Sequence, residues 1–183
     1  MTHPAQRYSM RGATRADLEE IMAVERESFE EGVVEPSEVF AERVEVFPDG
    51  FLVLLDEGGA VIGYICAELR AALPAQRQEA FALGRSISRS HHAGGAVLYI
   101  SSMGLKRGAR GAGLGARMLG ELKRVALLKH PQVKHISLIV SEEWPHAQRI
   151  YERAGLAQVG RLVGFFTPLG RPPADAIVMR ADL

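Results

Sequence analysis

The chain has 183 residues but only one cysteine, one tryptophan and no excess of charge of either sign. A lone cysteine, Cys66, excludes an internal disulfide and a zinc site built from cysteines, and we expect it in the core. Lys plus Arg and Asp plus Glu each number 22, so binding of a nucleic acid through bulk positive charge is not expected. No apolar run is long enough to span a membrane, and the N-terminus lacks the apolar stretch of a secretion signal. We therefore expect one soluble, cytoplasmic domain over 1–183, without a membrane partner and without a metal.

The zero net charge hides an uneven distribution along the chain. Residues 17–45 contain eleven acidic and two basic residues, whereas residues 101–135 contain eight basic residues and one acidic residue. Such segments are often the solvated faces of helices. The alternative is that each segment faces a ligand of opposite charge.

Apolar periodicity predicts an α/β domain. Thr14 and Asp17 have the spacing of a helix-capping pair, Pro145 suits a first helical position, and Gly155 suits a helix end. The segment 70–95 is an insert with a short helix at 74–84 and a polar loop, a candidate lid. The predicted helices are 18–29, 36–48, 113–129 and 145–154, and the predicted strands are 8–11, 51–55, 60–68, 96–105, 135–140, 156–163 and 175–179.

A glycine-rich turn between a predicted strand and a predicted helix carries the clearest chemical signal. Glycines let backbone N–H groups converge on a ligand, and a helix N-terminus adds partial positive charge, so the turn suits a pyrophosphate. A P-loop would need Lys and then Ser or Thr after its last glycine, which this turn lacks. A dinucleotide-binding fingerprint matches the letters, but it normally opens its domain. The turn reads Arg110-Gly111-Ala112-Gly113-Leu114-Gly115-Ala116.

A second motif lies on the helix that follows the next strand, where Ala147 and Tyr151 stand four residues apart. Together with Arg110, Gly113 and Gly115, it resembles the GNAT superfamily of acetyltransferases over nearly the whole chain. The resemblance implies a mixed, mostly antiparallel twisted sheet of six to seven strands with about four helices and the insert at 70–95. It also implies transfer of an acetyl group from acetyl-CoA to a primary amine, and it allows a homodimer.

The resemblance implies a role for each element around the glycine turn. Tyr151 would protonate the departing thiolate, which suits a phenol with an ordinary pKa of ~10 beside a thiol of ~8.5. The backbone of Met103 and Leu105 would pair with the pantetheine arm, and the Met103 N–H would polarise the thioester carbonyl. Trp144 stands where the family commonly has an asparagine, so Ser141 or Glu143 caps the helix instead, or the contact is replaced by packing. The implied cofactor contacts are Met103, Gly104, Leu105, Arg110, Gly111, Ala112, Gly113, Leu114, Gly115, Ala116, Trp144, Ala147 and Tyr151.

The general base is not evident from the motifs. The chain resembles the ribosomal-protein alanine branch at its C-terminal end, but that branch has a glutamate where this chain has Ile139. It resembles the aralkylamine branch before the glycine turn, but that branch has histidines where this chain has Tyr99 and Ser101. Tyr99 and Ser101 could order a water chain and Glu68 could accept a proton, although each also suits a structural role.

The acceptor side of this fold is formed partly by the first two helices, which here carry the acidic segment. Phe29, Glu30 and Glu31 are the predicted substrate contacts, and they favour a cationic small molecule or a peptide N-terminus. A second hypothesis is a CoA-binding sensor or assembly domain with little catalysis. A third is a dinucleotide-binding oxidoreductase.

Overall fold

The computed structural model describes residues 8–183, which form a seven-stranded sheet flanked by α-helices. The strand bounds differ from the predicted ones by a few residues at the ends, most at the last two strands. The strands are β1 (Ser9–Gly12), β2 (Phe51–Leu55), β3 (Val61–Arg70), β4 (Val97–Leu105), β5 (His135–Ser141), β6 (Ala157–Phe166) and β7 (Ala174–Asp182).

The four predicted helices are present within residues 8–183. Thr14 and Asp17 form the predicted capping box ahead of the first helix, and Gly155 after the last one has a φ of +90°. The helices are α1 (Leu18–Ser28), α2 (Ser37–Val46), α3 (Leu114–Lys129) and α4 (Pro145–Arg153).

Within the described residues, the strand order is β1-β2-β3-β4-β5-β7-β6, and only the β4–β5 pair is parallel. The predicted mixed, mostly antiparallel sheet is thus confirmed. A dinucleotide-binding fold requires a doubly wound parallel sheet, so this order contradicts the oxidoreductase hypothesis.

The two faces of the sheet are covered by different helices. Tyr64 belongs to the core cluster that contains residues of α1 and α2, whereas its neighbour Ile65 belongs to the cluster that contains residues of α3 and α4. Successive strand residues point to opposite faces. The helices before β2 therefore cover one face, and the helices after β4 cover the other.

The predicted helix at 74–84 is wrong, because the insert contains only two short 3-10 turns, Gln78–Ala80 and Ile87–Arg89. Its backbone is held by side chains of the surrounding fold instead of by helical hydrogen bonds. Arg70 donates to the Ala80 carbonyl at 3.0 Å, and the Gly84 N–H donates to Glu35 at 2.7 Å. The insert is therefore packed against the domain in this structure.

Candidate active site

A cleft opens where β4 and β5 separate. The two strands pair only between Val97–Tyr99 and His135–Ser137. In the β3–β4 pairing, Cys66 lies opposite Ser102 and Ala67 opposite Ile100, so Ser101 is the extra residue of a bulge. A bulge bends its strand and increases its twist. The result is a cleft of about 850 Å³ between the diverging strands.

Most of the predicted cofactor contacts line this cleft. Ala112 and Ala116 do not reach it. Leu105 departs from expectation, because its N–H donates to the Ser28 hydroxyl at 3.2 Å and its carbonyl accepts from Arg110 at 3.1 Å. The predicted contacts that line the cleft are Met103, Gly104, Leu105, Arg110, Gly111, Gly113, Leu114, Gly115, Trp144, Ala147 and Tyr151.

The glycine turn has the backbone geometry of an anion site. Gly111 and Gly113 have φ values of +84° and +74°, a conformation that side-chain-bearing residues rarely adopt. The first N–H groups of α3, at Leu114, Gly115 and Ala116, precede the first intrahelical bond, which Arg117 donates to Gly113 at 3.1 Å. These groups fit the pyrophosphate of a coenzyme A molecule.

Tyr151 lies in the cleft with its side chain almost fully buried. Among residues 8–183, its hydroxyl has no hydrogen-bond partner, so it is open to a ligand. Burial raises the pKa of Tyr151 above its usual value. The phenol therefore stays protonated at neutral pH and can donate a proton.

Trp144 precedes α4 without capping it, and neither Ser141 nor Glu143 caps the helix with its side chain. The indole instead packs between Phe29 and Phe166, with ring centroids 5.3 and 5.0 Å away. All three rings line the cleft. The structure thus shows packing where the family commonly has a polar cap.

Two of the three candidate bases lie outside the cleft. Glu68 is buried and forms ion pairs with Arg70 at 2.7 Å and Arg85 at 2.9 Å. The Arg70 guanidinium lies over the ring of Tyr99, with its carbon Cζ 3.5 Å from the ring centroid. Glu68 and Tyr99 line a smaller neighbouring pocket, and of the three candidate bases only Ser101 lines both that pocket and the cleft.

The predicted acidic acceptor contacts are also displaced from the cleft. Glu30 pairs with Arg171, and the carbonyl of the exposed Glu31 accepts from Leu169 at 2.7 Å. Neither glutamate lines the cleft, whereas Phe29 does. The structure therefore does not bring the carboxylates of Glu30 and Glu31 to the cleft wall.

Sequence reasoning missed Glu25, a buried glutamate that lines the cleft, whereas Glu35, also buried in the cleft wall, belongs to the acidic segment expected at the acceptor side. Glu35 pairs with the buried Arg43 at 2.7 Å. Glu25 accepts the Glu35 N–H at 3.0 Å and the Tyr64 hydroxyl, and burial raises its pKa to about 7. A signal existed, because Glu25 continues the apolar helical series of Leu18, Ile21 and Met22 on α1.

Residues 8–183 contain no helix that is long and apolar enough to cross a membrane. In the same part of the chain, no three His, Cys, Asp or Glu side chains lie close enough together to hold a metal ion.

The sequence pattern of the acetyltransferase (GNAT) family matches residues 17–156. The mixed sheet and the cleft between its diverging strands agree with this family match. The chain belongs to the GNAT acetyltransferase family, which confirms the predicted enzyme class, N-acetyltransferase, and its cosubstrate, acetyl-CoA. No curated protein sequence matches the chain.

Solved structures share this fold at low sequence identity. The loading GNATL domain of CurA from Lyngbya majuscula is 15% identical with a TM-score of 0.80, covering 96% of this chain and 98% of that one. The GphF GNAT-like decarboxylase in complex with isobutyryl-CoA is 21% identical with a TM-score of 0.74, covering 94% and 98%. A phosphinothricin acetyltransferase from Sinorhizobium meliloti in complex with AcCoA is 23% identical with a TM-score of 0.69, covering 96% and 88%.

Proposed function

We propose that the chain transfers the acetyl group of acetyl-CoA to a primary amine that carries an apolar substituent, either a small molecule or a peptide N-terminus. The observation that carries this proposal is the cleft at the β4–β5 separation, which holds the unpartnered Tyr151 hydroxyl together with the glycine turn. Acetyl-CoA bound there would supply an activated acetyl thioester.

In this proposal the glycine turn holds the anionic end of acetyl-CoA. The N–H groups from Gly111 to Ala116 bind the pyrophosphate, supported by the partial positive charge of the α3 N-terminus. Arg110, Arg149 and Arg153 line the same cleft and add positive charge. The unpaired edge of β4 at Met103 binds the pantetheine arm, because β5 has already turned away from it.

Two groups act on the thioester. The Met103 N–H donates to the carbonyl oxygen and stabilises the negative charge that develops there. Tyr151 donates its proton to the sulfur as the carbon–sulfur bond breaks, because burial keeps the phenol protonated. Both groups line one cleft, so one bound thioester can meet both.

The acceptor part of the cleft favours an apolar amine over a polyamine. Its wall contains aromatic and aliphatic side chains, whereas the Glu35 carboxylate there is neutralised by Arg43. A bulky apolar group on the amine is stabilised there by removal of its surface from water. The apolar residues of this wall are Phe29, Val33, Leu83, Trp144 and Phe166.

The experiment is release of coenzyme A thiol from acetyl-CoA with phenethylamine, spermidine or a tripeptide with a free N-terminus as acceptor. We expect turnover with phenethylamine or the tripeptide, and a KM that changes little with salt. Faster turnover with spermidine and a KM that rises steeply with salt would instead support the acidic acceptor mouth predicted from the sequence. Binding of acetyl-CoA without turnover of any of the three amines would support the CoA-binding sensor.

Replacing Tyr151 with phenylalanine tests the general acid. We expect kcat to fall about 100-fold or more, a typical loss for general acid catalysis, while the Kd for acetyl-CoA changes little. Tyr8→Phe removes a phenol hydroxyl that lies outside the cleft and serves as the matched control. An unchanged kcat in Tyr151→Phe would exclude this residue as the acid.

A further inference from the structure

We propose that Ser102, Tyr64 and Glu25 form a proton relay that takes the proton of the acceptor ammonium, with Ser102 touching the amine and Glu25 receiving the proton. The inference rests on the proposed function, because it supplies the general base that amine acetylation needs. None of the three residues was predicted as part of the site.

The register of the sheet places this relay opposite the general acid. Ser102 lies opposite Cys66, and Gly104 opposite Tyr64, so these residues share the face that α1 and α2 cover. Tyr151 belongs to the core cluster of the other face. The cleft includes Glu25, Ser102 and Tyr151. An amine entering from the α1 side would thus meet the relay on its own side of the thioester, with the acid on the far side.

The hydrogen bonds of the relay run in one direction when Glu25 is ionised. The Tyr64 hydroxyl has a single hydrogen, which it donates to the Glu25 carboxylate. Tyr64 must then accept the hydrogen of Ser102, whose oxygen lies 2.8 Å away. The Ser102 oxygen keeps its own lone pairs for the ammonium. Ser102 is only half-buried, so its side chain can meet a ligand in the cleft.

Close packing holds α1 against β4 beside the relay. A Cβ on Gly104 would lie 2.8 Å from the Tyr64 ring, 2.9 Å from the Ser28 hydroxyl and 3.2 Å from Val24. Only a residue without a side chain allows this approach. The contact fixes the position of α1, and therefore that of Glu25, relative to the strand that carries Ser102.

Glu25 is the group of the relay that can change charge near neutral pH. Its pKa is raised from 4.5 to about 7, because burial and the charge of Glu35 raise it by more than the Tyr64 and Glu35 hydrogen bonds and the charge of Arg43 lower it. The neighbouring Cys66 and Tyr64 stay protonated at neutral pH, because burial raises the pKa of Cys66 to about 12 and that of Tyr64 well above 10. A base with a pKa near 7 is well matched to neutral operating conditions.

The proton transfers balance as follows. The ammonium gives one proton to Ser102, Ser102 gives its own to Tyr64, and Tyr64 gives its own to Glu25. The nitrogen lone pair then forms the bond to the acetyl carbon, and the carbon–sulfur bond breaks. The sulfur takes the proton of Tyr151. The nitrogen then loses a second proton to the Tyr151 phenolate, which restores the phenol, and Glu25 releases its proton to water.

A purely structural role for Glu25 makes a different prediction. The carboxylate also fastens the α1–α2 loop through the Glu35 N–H, so its loss could lower activity by loosening the loop. Loosening of the loop would lower kcat/KM by a similar factor at every pH and would leave the shape of the pH profile unchanged. The pH dependence of kcat/KM therefore separates the two roles.

The main test is kcat/KM against pH from 5.5 to 9, with the amine of the three named above that is acetylated fastest. In the unaltered chain, kcat/KM should rise as the pH increases through about 7, because Glu25 loses its proton there. This pH is lower than the pKa of the amine itself. Glu25→Gln should lose about 100-fold or more together with this rise. Glu19→Gln, an exposed glutamate of the same helix, should keep both. A Glu25→Gln profile that still rises near pH 7 would overturn the proposal.

Two further variants keep the test decisive if Glu25→Gln folds poorly. Tyr64→Phe removes a hydrogen bond that lowers the Glu25 pKa, so the rise should move to higher pH and the rate should fall. Ser102→Ala should lower the rate while the Glu25 carboxyl still titrates near pH 7. An unchanged rate in both variants would contradict the relay.

Failure of the relay can be told apart from failure of the proposed function. Carbon-13 NMR of glutamate-labelled protein follows the Glu25 carboxyl without any substrate, with Glu25→Gln assigning its signal. If no amine is acetylated, the proposed function fails, and titration of this carboxyl near pH 7, shifted upward in Tyr64→Phe, would still support the Glu25–Tyr64 half of the relay. Titration near the usual 4.5 would overturn the relay even in an active enzyme.

Discussion

At the scale of single residues, two glycines of the glycine turn are needed for their backbone conformation, not because a side chain would lack space. A Cβ added to Gly111 or Gly113 would meet no atom within 4 Å, yet both residues have positive φ. Gly115 is the opposite case, because a Cβ there would lie 2.9 Å from Ile150. The first two glycines allow the turn, and the third allows α3 and α4 to approach.

Replacing Gly113 with alanine should therefore strain the turn. Left-handed backbone costs a residue with a side chain about 1–2 kcal/mol. Either the turn keeps its shape and the free energy of unfolding falls by that amount, or the turn relaxes and the Kd for acetyl-CoA rises about 5- to 30-fold. Chemical denaturation and calorimetric titration measure the two quantities.

Gly120→Ala is the matched control, because Gly120 is exposed in the middle of α3 and has no atom near its Cβ position. Alanine there should stabilise the helix by about 0.5–1 kcal/mol. If Gly113→Ala behaved like Gly120→Ala, the left-handed turn would not be required for folding or for binding.

At the scale of elements, the insert protects the edge of the sheet. Among the strands of residues 8–183, β6 pairs only with β7, so no strand of this part of the chain pairs with its other edge. Gln76 and Gln78 of the insert donate to the carbonyls of Val159 and Val163 at 2.9 and 2.8 Å. Gly160 permits this approach, because a Cβ there would lie 2.3 Å from the Gln76 side chain. Exposed strand edges favour pairing with other chains.

Changing Gln76 and Gln78 together to alanine should increase self-association, because the β6 carbonyls then become available to another chain. Sedimentation velocity over a range of concentrations would compare the double variant with the unaltered chain. Gln158→Ala, which removes an exposed glutamine of β6 itself, is the control. Equal self-association in all three proteins would show that the insert does not protect this edge. The predicted homodimer would be measured in the same experiment.

At the scale of the whole molecule, internal ion pairs absorb part of the charge asymmetry of the sequence. In the acidic segment, Asp17 pairs with Arg11, Glu35 with Arg43, and Glu30 with Arg171. The basic segment instead contains the glycine turn and the first N–H groups of α3. The glycine turn therefore agrees with the hypothesis of a face for an anionic ligand, whereas the cleft wall that we propose for the acceptor is mainly apolar.

The carboxyl groups of Asp17 and Glu25 should change the free energy of unfolding with pH in opposite directions. Arg11 lowers the pKa of Asp17 from 3.8 to about 2, so its stabilising contribution is lost as the pH falls through that range. Burial raises the pKa of Glu25 from 4.5 to about 7, so the folded state binds more protons there and stability falls as the pH rises between these values.

Thermal unfolding between pH 2 and 8 would measure both effects. Glu25→Gln should remove the decline in Tm above pH 4.5, and Asp17→Asn should weaken the decline below pH 4. An unchanged slope above pH 4.5 in Glu25→Gln would mean that the Glu25 pKa is not raised by folding.

The sequence by itself determined the four helices and seven strands outside the insert, the glycine turn and the family. Helix caps, the glycines from Gly111 to Gly115 and the spacing of Ala147 and Tyr151 are local features, which the backbone conformation of a few residues fixes. Only the tertiary structure decided which side chains meet at the cleft. It places Glu68 in an ion pair with Arg85 and Glu30 in an ion pair with Arg171, and both partners are distant in sequence. It also brought Glu25 of α1 to Tyr64 of β3 and Ser102 of β4, because burial and charge pairing depend on contacts that no local pattern specifies.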